Sequence, residues 1–96
     1  MKHHIFTIFD SKAEAYLPPF FLHQKAMAVR AFTDSVNNPE SAISLHPGDY
    51  TLFHIGEFDD SNAQITLATS TSMGNGVEFI KPASKETQLE LIEETA

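Results

Sequence analysis

The 96-residue sequence contains no cysteine, so disulfide bonds, thiolate catalysis and cysteine-based metal sites are all excluded. It also lacks a long apolar run near its N-terminus, because the short run after Met-Lys-His-His contains Thr7 and stops at Asp10. Such a run is too short for the core of a signal peptide or for a membrane span. We therefore expect a soluble protein that acts in the cytoplasm where it is made.

Basic residues are scarce, with six Lys and Arg against thirteen Asp and Glu and a net charge of −7. The imbalance lies in residues 57–96, which hold two basic and eight acidic side chains. Residues 1–56 hold four basic and five acidic side chains. Nucleic-acid binders normally present a basic surface, because neutralising phosphates supplies most of the non-specific affinity. The charge therefore counts against DNA binding, and any DNA contact is expected to use the N-terminal half.

Familiar catalytic motifs are absent: there is no nucleophile elbow, P-loop, dinucleotide-binding fingerprint or zincin helix. His3 and His4 are adjacent in a predicted strand and point to opposite faces, which is poor geometry for binding one metal ion. His46, Asp49 and His54 lack the spacing of a known ligand set. The sequence thus predicts no enzymatic activity, no cofactor and no metal site.

The segment from His3 to Phe9 is rich in β-branched and aromatic residues and predicts a strand. Both of its faces carry apolar side chains, Ile5 and Phe9 on one and Phe6 and Ile8 on the other. This pattern is typical of a central strand covered on both sides, or of a strand with one face held by a partner.

Apolar residues at helical spacing predict the main helix, which begins at Leu22 or His23 and ends at Val36. The following Asn37-Asn38-Pro39 ends it, because proline cannot continue the hydrogen-bond ladder. The predicted apolar stripe of this helix consists of Leu22, Ala26, Val29, Phe32 and Val36.

The second half of the chain alternates apolar segments with polar turns, which predicts a hairpin. Ile65 and Leu67 are expected to form the buried face of its second strand.

The complete prediction is an α+β fold of order β-α-β-β(-β), with a small, mostly antiparallel sheet against one main helix. Its last elements are strands at Tyr50–Phe58 and Ala63–Thr69, a flexible loop at Ser70–Gly76 and an additional short edge strand at Val77–Ile80. Residues 1–81 form the single domain, and residues 82–96 are expected to be an acidic, mobile tail.

Eight phenylalanines are many for this length, and they indicate either an aromatic core or an aromatic binding face. Phe20 and Phe21 follow the rigid pair Pro18-Pro19, so they could plug the core or form an exposed anchor. The sequence leaves both alternatives open.

Three stretches resemble the small nonstructural protein of gokushoviruses, the product of their fifth open reading frame. They are DSKAEAYLPPFF at 10–21, AVRAFTDSVNNP at 28–39 and HPGDYTLFHIGEFDD at 46–60. The resemblance covers residues 3 to 80, while the acidic tail lies outside it. Gokushoviruses are single-stranded DNA phages of the microvirus group.

The resemblance implies a nonstructural factor made in the infected bacterium. Proteins of this kind are treated as counterparts of the microvirus protein that shifts replication from duplex to single-stranded genome synthesis and packaging. This role rests on genome position and analogy, and no catalytic residues come with it.

Two hypotheses remain for the mode of action. The first is a single-stranded DNA-binding or replication-switch module that combines aromatic stacking with a few cations. Its predicted nucleic-acid-binding residues are Lys12, Tyr16, Phe20, Phe21, Lys25 and Arg30.

The second hypothesis is an acidic adaptor or DNA mimic that docks on a phage or host replication or assembly protein. Its predicted acidic partner face consists of Glu57, Asp59, Asp60 and Glu78. A homodimer is expected with either hypothesis, because one helix cannot cover two sheet faces and a small sheet has unpaired edges.

Overall fold

A computed structural model describes residues 1–81, in which an antiparallel sheet carries all of the helices on one of its faces. Two short 3₁₀ helices, Pro47–Asp49 and Gly76–Phe79, flank the last two strands. The remaining elements are β1 (Lys2–Asp10), β2 (Ala15–Tyr16), β3 (Phe20–Leu22), α1 (Lys25–Asn37), α2 (Ala42–Leu45), β4 (Tyr50–Asp59) and β5 (Gln64–Asn75). The predicted tail at residues 82–96 lies outside the described residues.

Strand β1 is central, with β4 paired on one side and the short strands β2 and β3 on the other. Every pairing is antiparallel, including that of β1 with β4, whose direction the sequence left open. The predicted α+β class and element order are confirmed. Strands β2 and β3 were not predicted, because two or three residues are too few to show a period of two.

Helix α1 begins at Lys25, not at Leu22 or His23, because Leu22 pairs with His4 at the end of β3. Its buried residues are Ala28, Phe32 and Val36, which recur every four positions and form one stripe. They pack on Phe6 and Leu52, both 0% exposed. Burial of a large apolar side chain contributes about 1.5–3 kcal/mol, so this contact holds the helix on the sheet.

The C-terminal end of α1 is fixed by the side-chain amide of Asn37. Its Nδ2 donates to the backbone oxygen of Thr33 at 2.7 Å and to that of Phe79 at 2.9 Å, while its Oδ1 accepts from the backbone N–H of Lys81 at 2.9 Å. A residue expected only to end the helix therefore also ties the last described residues to it.

Strand β5 is longer and more exposed than predicted. It continues to Asn75 through the expected loop at Ser70–Gly76, and residues 61–72 are all exposed. Ile65 and Leu67, the expected buried face, are 57% and 81% exposed. That prediction was wrong because the strand register puts both side chains on the face of the sheet opposite α1, which no helix among residues 1–81 covers.

The expected edge strand at Val77–Ile80 is instead a 3₁₀ helix, Gly76–Phe79. Asn75 caps it by accepting from the backbone N–H of Val77 at 3.1 Å, and Glu78 accepts from the backbone N–H of Asn75. This reciprocal capping box satisfies the free N–H groups of a helix start. The turn places Phe79 against Phe32 in the core, with ring centroids 5.6 Å apart.

A β-bulge at Ile55 changes which side chains of β4 share a face. His54 pairs with Phe6, but Gly56 pairs with Ile5, so one extra residue stands in β4 between them. Phe58 thereby comes to the same face as Ile55. Gly56 is needed here because a Cβ atom at this position would lie 2.6 Å from the backbone oxygen of Thr66.

Substitution of Gly56 by alanine is expected to lower the free energy of unfolding by about 1–3 kcal/mol, the usual cost of overpacking a close contact. Chemical denaturation measures the change. Gly48→Ala is the matched control, since its Cβ would meet Val77 at an ordinary 3.7 Å. Equal stability of the two variants would show that β4 and β5 do not approach so closely at Gly56.

Candidate docking surface

The face of the sheet opposite α1 has no helix or strand over it among residues 1–81. Side chains on adjacent strands alternate between the two faces, so the strand register assigns each residue to one of them. We call the uncovered side the open face. It consists of His3, Ile5, Thr7, Phe9, Tyr16, Phe21, Thr51, Phe53, Ile55, Gly56, Phe58, Ile65, Leu67, Ser72 and Asn75.

The eight phenylalanines divide equally between the two faces of the sheet. Phe6, Phe20, Phe32 and Phe79 belong to the core under α1. The other four, Phe9, Phe21, Phe53 and Phe58, lie on the open face. The two alternatives raised by the sequence, an aromatic core and an aromatic binding face, are therefore both present.

The aromatic side chains of the open face form two clusters. In one, the ring of Tyr16 lies 4.8 Å from that of Phe9 and 5.9 Å from that of Phe53. In the other, the rings of Phe21 and Phe58 meet edge to face at 5.9 Å. Tyr16 and Phe21 remain 57% and 45% exposed, so each cluster presents an accessible ring.

Each cluster borders a shallow depression. The larger has a volume of about 570 Å³ and is bounded by the Leu17-Pro18-Pro19 segment, Tyr16 and Ile55. The hydroxyl of Thr7 in its floor donates to the backbone oxygen of Leu17 at 2.6 Å. The smaller, of about 350 Å³, is lined by His3, Phe21, Phe58 and Ile65. Both are predominantly apolar.

The open face carries no Lys, Arg, Asp or Glu side chain among its strand residues. Its one titratable residue besides Tyr16 is His3, whose Nε2 lies 2.8 Å from Asp60 Oδ2 at the β4–β5 turn. Residues 1–81 hold five basic and nine acidic side chains, a net charge of −4. The open face is thus a neutral surface on an acidic protein.

The residues predicted to bind nucleic acid are divided between the two faces. Tyr16 and Phe21 lie on the open face, but Phe20 lies on the helix side, where its ring stacks on Phe6 at 5.6 Å. Of the two phenylalanines that follow the diproline, Phe20 therefore belongs to the core and Phe21 is exposed on the open face.

The predicted cations are not interleaved with those aromatic residues. Lys25 and Arg30 lie on α1, on the covered side, and both are exposed. Lys12 lies in the β1–β2 turn, where its backbone N–H donates to Asp10 Oδ1 at 3.0 Å. The structure does not assemble the six residues into one surface.

The four predicted acidic residues are also separated. Glu57, Asp59 and Asp60 lie at the β4–β5 turn, whereas Glu78 lies beside Thr51 and Asn75 at the other end of β4. Six residues of strand separate Thr51 from Glu57, about 20 Å. The four carboxylates are therefore not one continuous face, and a DNA mimic built from them is not supported.

The carboxylates at the turn also have partners within the chain. Asp59 Oδ1 accepts from the hydroxyl of Ser61 at 2.6 Å and from its backbone N–H at 3.0 Å, and these bonds lower the pKa of Asp59. Glu57 lies 3.8 Å from the ammonium group of Lys2. The hydrogen bonds of Asp59 stabilise a tight turn, which is the usual role of aspartate in hairpins.

A histidine pair lies on the covered side of the sheet. His4 Nδ1 and His54 Nε2 are 3.1 Å apart, so one ring donates a hydrogen bond to the other. The pair escaped the sequence analysis because 50 residues separate its members. Among residues 1–81, no group of three or more potential ligands is arranged to hold a metal ion.

The chain shows a clear family relationship. The model of the family described as Phage ORF5 protein matches residues 3–79, most of the chain. The chain belongs to the Phage ORF5 protein family. The match agrees with the gokushovirus resemblance and marks the chain as a phage protein.

Neither curated proteins nor solved structures provide a further match for this Phage ORF5 family member. Within residues 1–81, none of its helices is long and apolar enough to cross a membrane.

Three residues of the open face, Phe9, Phe53 and Phe58, were not selected from the sequence. The sequence did contain a signal for Phe9. Both faces of β1 carry apolar side chains, and one explanation of that pattern is a face that binds a partner. Phe58 could not be assigned to this face from the sequence, because the bulge at Ile55 shifts the alternation. Tyr16 and Phe21, two of the five aromatic residues of the open face, could be selected from the sequence because they lie close to the diproline.

Stability should depend on pH through His54, which is 8% exposed. Burial lowers the pKa of His54 below 6.5, with nearby Lys25 acting in the same direction. The unfolded chain therefore binds more protons below pH 6.5, so acidification should reduce the free energy of unfolding until the pKa of the folded state is reached. Urea denaturation at a series of pH values measures this slope.

The control for this prediction is His54→Gln, which keeps a hydrogen-bonding group but cannot titrate. Its unfolding free energy should fall less steeply with acidification than that of the wild type over the same range. Parallel pH profiles would mean that other groups account for the pH dependence, such as Asp60, whose pKa is lowered by its hydrogen bond from the N-terminal ammonium group.

Proposed function

We propose that this phage protein is a non-enzymatic accessory of genome replication that acts in the cytoplasm of the infected bacterium by docking on another protein. The open face is the docking surface, and the partner presents an apolar surface to it. The assignment to replication draws on the resemblance to the gokushovirus protein; the choice of a protein partner draws on the character of the face.

The observation that carries the proposal is the presence of half of the phenylalanines on an uncovered, uncharged sheet face. The exposed large side chains of this face are Tyr16, Phe21, Ile65 and Leu67, which are 57%, 45%, 57% and 81% exposed, whereas Ile5 on the same face is buried. Large contiguous apolar patches exposed on soluble proteins mark interaction sites. A core role does not explain these side chains, since the core under α1 uses the other four phenylalanines.

Charge favours a protein over single-stranded DNA as the ligand. Single-strand binders combine stacking aromatic side chains with a basic groove that follows the phosphates. The aromatic side chains are present here, but Lys25 and Arg30 lie on the opposite side of the sheet. An apolar interface core with depleted charge is typical of protein–protein contacts.

The test is a double substitution on the open face, Tyr16→Ser with Phe21→Ser, introduced into the phage genome. Both side chains are about half exposed, so the fold should survive. The matched control is Met27→Ser with Leu45→Ser, which removes two exposed apolar side chains, 43% and 68% exposed, from the helices on the other side. The readout is the ratio of single-stranded to duplex phage DNA in infected cells.

The open-face variant should weaken partner binding more than tenfold, since central aromatic contacts contribute about 2 kcal/mol each and about 1.4 kcal/mol is tenfold in binding. It should therefore lower this ratio. The control variant should behave as the wild type. An unchanged ratio in the open-face variant, with normal folding, would contradict the proposal.

Anisotropy titration of the purified protein with labelled single-stranded and duplex oligonucleotides separates the two ligand classes. No binding is expected at physiological salt. If single-strand binding weakens with salt and is lost in the open-face variant, the ligand of the open face is DNA and not a protein.

A further inference from the structure

The two edges of the sheet are built differently. At one edge, β2 and β3 are two and three residues long and are separated by Leu17-Pro18-Pro19. Short strands and proline are devices by which proteins prevent pairing at a sheet edge. At the other edge lies β5, twelve residues long, and no strand among residues 1–81 pairs with its outer side.

The β5 edge lacks the charged residues and prolines that usually protect a sheet edge. Residues 61–77 contain no Asp, Glu, Lys, Arg, His or Pro. Side chains on both faces of the strand are exposed from residue 64 to residue 72. An exposed strand of this kind presents unpaired backbone N–H and C=O groups to any other strand that can approach.

A bulge limits the part of the edge that can pair. Gly56 pairs with Leu67 and His54 with Thr71, so Ala68–Ser70 stand opposite the single residue Ile55. The regular segment nearest the turn is therefore Gln64–Leu67. It is also the segment farthest from α1, so a second chain can reach it without meeting a helix.

We propose that two copies of this chain form a dimer by antiparallel pairing of the β5 edges, centred on Ile65–Leu67 within this regular segment. The occupant is a second copy because the edge is neutral on a chain of net charge −7. A contact with a charged partner would use complementary charge, whereas a neutral edge lets two acidic copies meet without placing like charges opposite each other.

A two-fold axis normal to the sheet makes this contact self-complementary. Residues directly opposite each other in antiparallel strands share a face, and one register with this property places Thr66 opposite itself and Ile65 opposite Leu67. The two open faces then lie side by side in one continuous sheet. The dimer does not depend on the proposed function, since the open face stays accessible.

The test is the mass of the purified full chain, measured by light scattering during size exclusion at about 50 µM. The wild type should show twice the chain mass of 10.7 kDa. Thr66→Lys should shift the mass to that of the monomer, because lysine at a strand edge opposes pairing and like charges opposite each other destabilise it. Its ammonium group can pair with the cross-strand neighbour Glu57, so the monomer should fold normally.

Two further variants make the result specific. Thr66→Val keeps a β-branched, uncharged side chain and should remain dimeric. The open-face variant Tyr16→Ser with Phe21→Ser should also remain dimeric, even if it abolishes function. A monomeric wild type, a dimeric Thr66→Lys variant, or an open-face variant that alone becomes monomeric would each overturn edge pairing; the last would show dimerisation through the open face.

Discussion

Phe6 is the residue on which the rest of the fold depends, because it lies on the central strand and directly beneath the only long helix among residues 1–81. Strands pair with β1 on both sides, and Phe32 and Val36 of α1 cover its helix-facing side. A single 13-residue helix is about 20 Å long and can cover one face of such a sheet, over part of its length. The opposite face and the far end of the β4–β5 hairpin are left uncovered as a direct consequence.

The uncovered surfaces have the composition of binding surfaces. An exposed sheet face usually carries polar residues that alternate with the buried ones, but here it carries four phenylalanines and a tyrosine. A chain with a net charge of −7 keeps charged side chains off this face and off the β5 edge. Charge is instead placed at the turns, on the helices and on the helix side of the strands, where it forms local hydrogen bonds and ion pairs. The two neutral surfaces share Ile65 and Leu67, whose side chains lie on the open face and whose backbone forms part of the β5 edge. Each surface suits a different kind of contact.

The parts of the fold that were predicted correctly depend on local patterns. Strand β1, most of α1 and the β4–β5 hairpin show periodicity or turn residues that physical rules recognise directly. The errors occur where distant residues decide the outcome. Leu22 fits a helical stripe but pairs with His4 as a strand, and Val77 belongs to a 3₁₀ turn because Asn75 caps it.

The candidate surface was harder to predict than the fold. Tyr16 and Phe21 were selected for their position beside the diproline, yet the accompanying Lys25 and Arg30 lie on the other side of the sheet. Sequence proximity gave no indication of this separation, because β3 and α1 are consecutive but occupy different layers. Ile65 and Leu67 alternate as buried residues do, and only the position of the helix shows that nothing among residues 1–81 covers them.

The most direct measurement is photocrosslinking in infected cells with p-benzoylphenylalanine in place of Phe21, which preserves the aromatic ring on the open face. The same label at Met27, exposed on α1, is the matched control. A crosslinked product is expected at position 21 but not at position 27. Protease should digest this product, whereas nuclease should leave it intact. It should contain a phage or host replication protein. A nuclease-sensitive product, or equal products at the two positions, would contradict the central claim that the open face docks a protein partner.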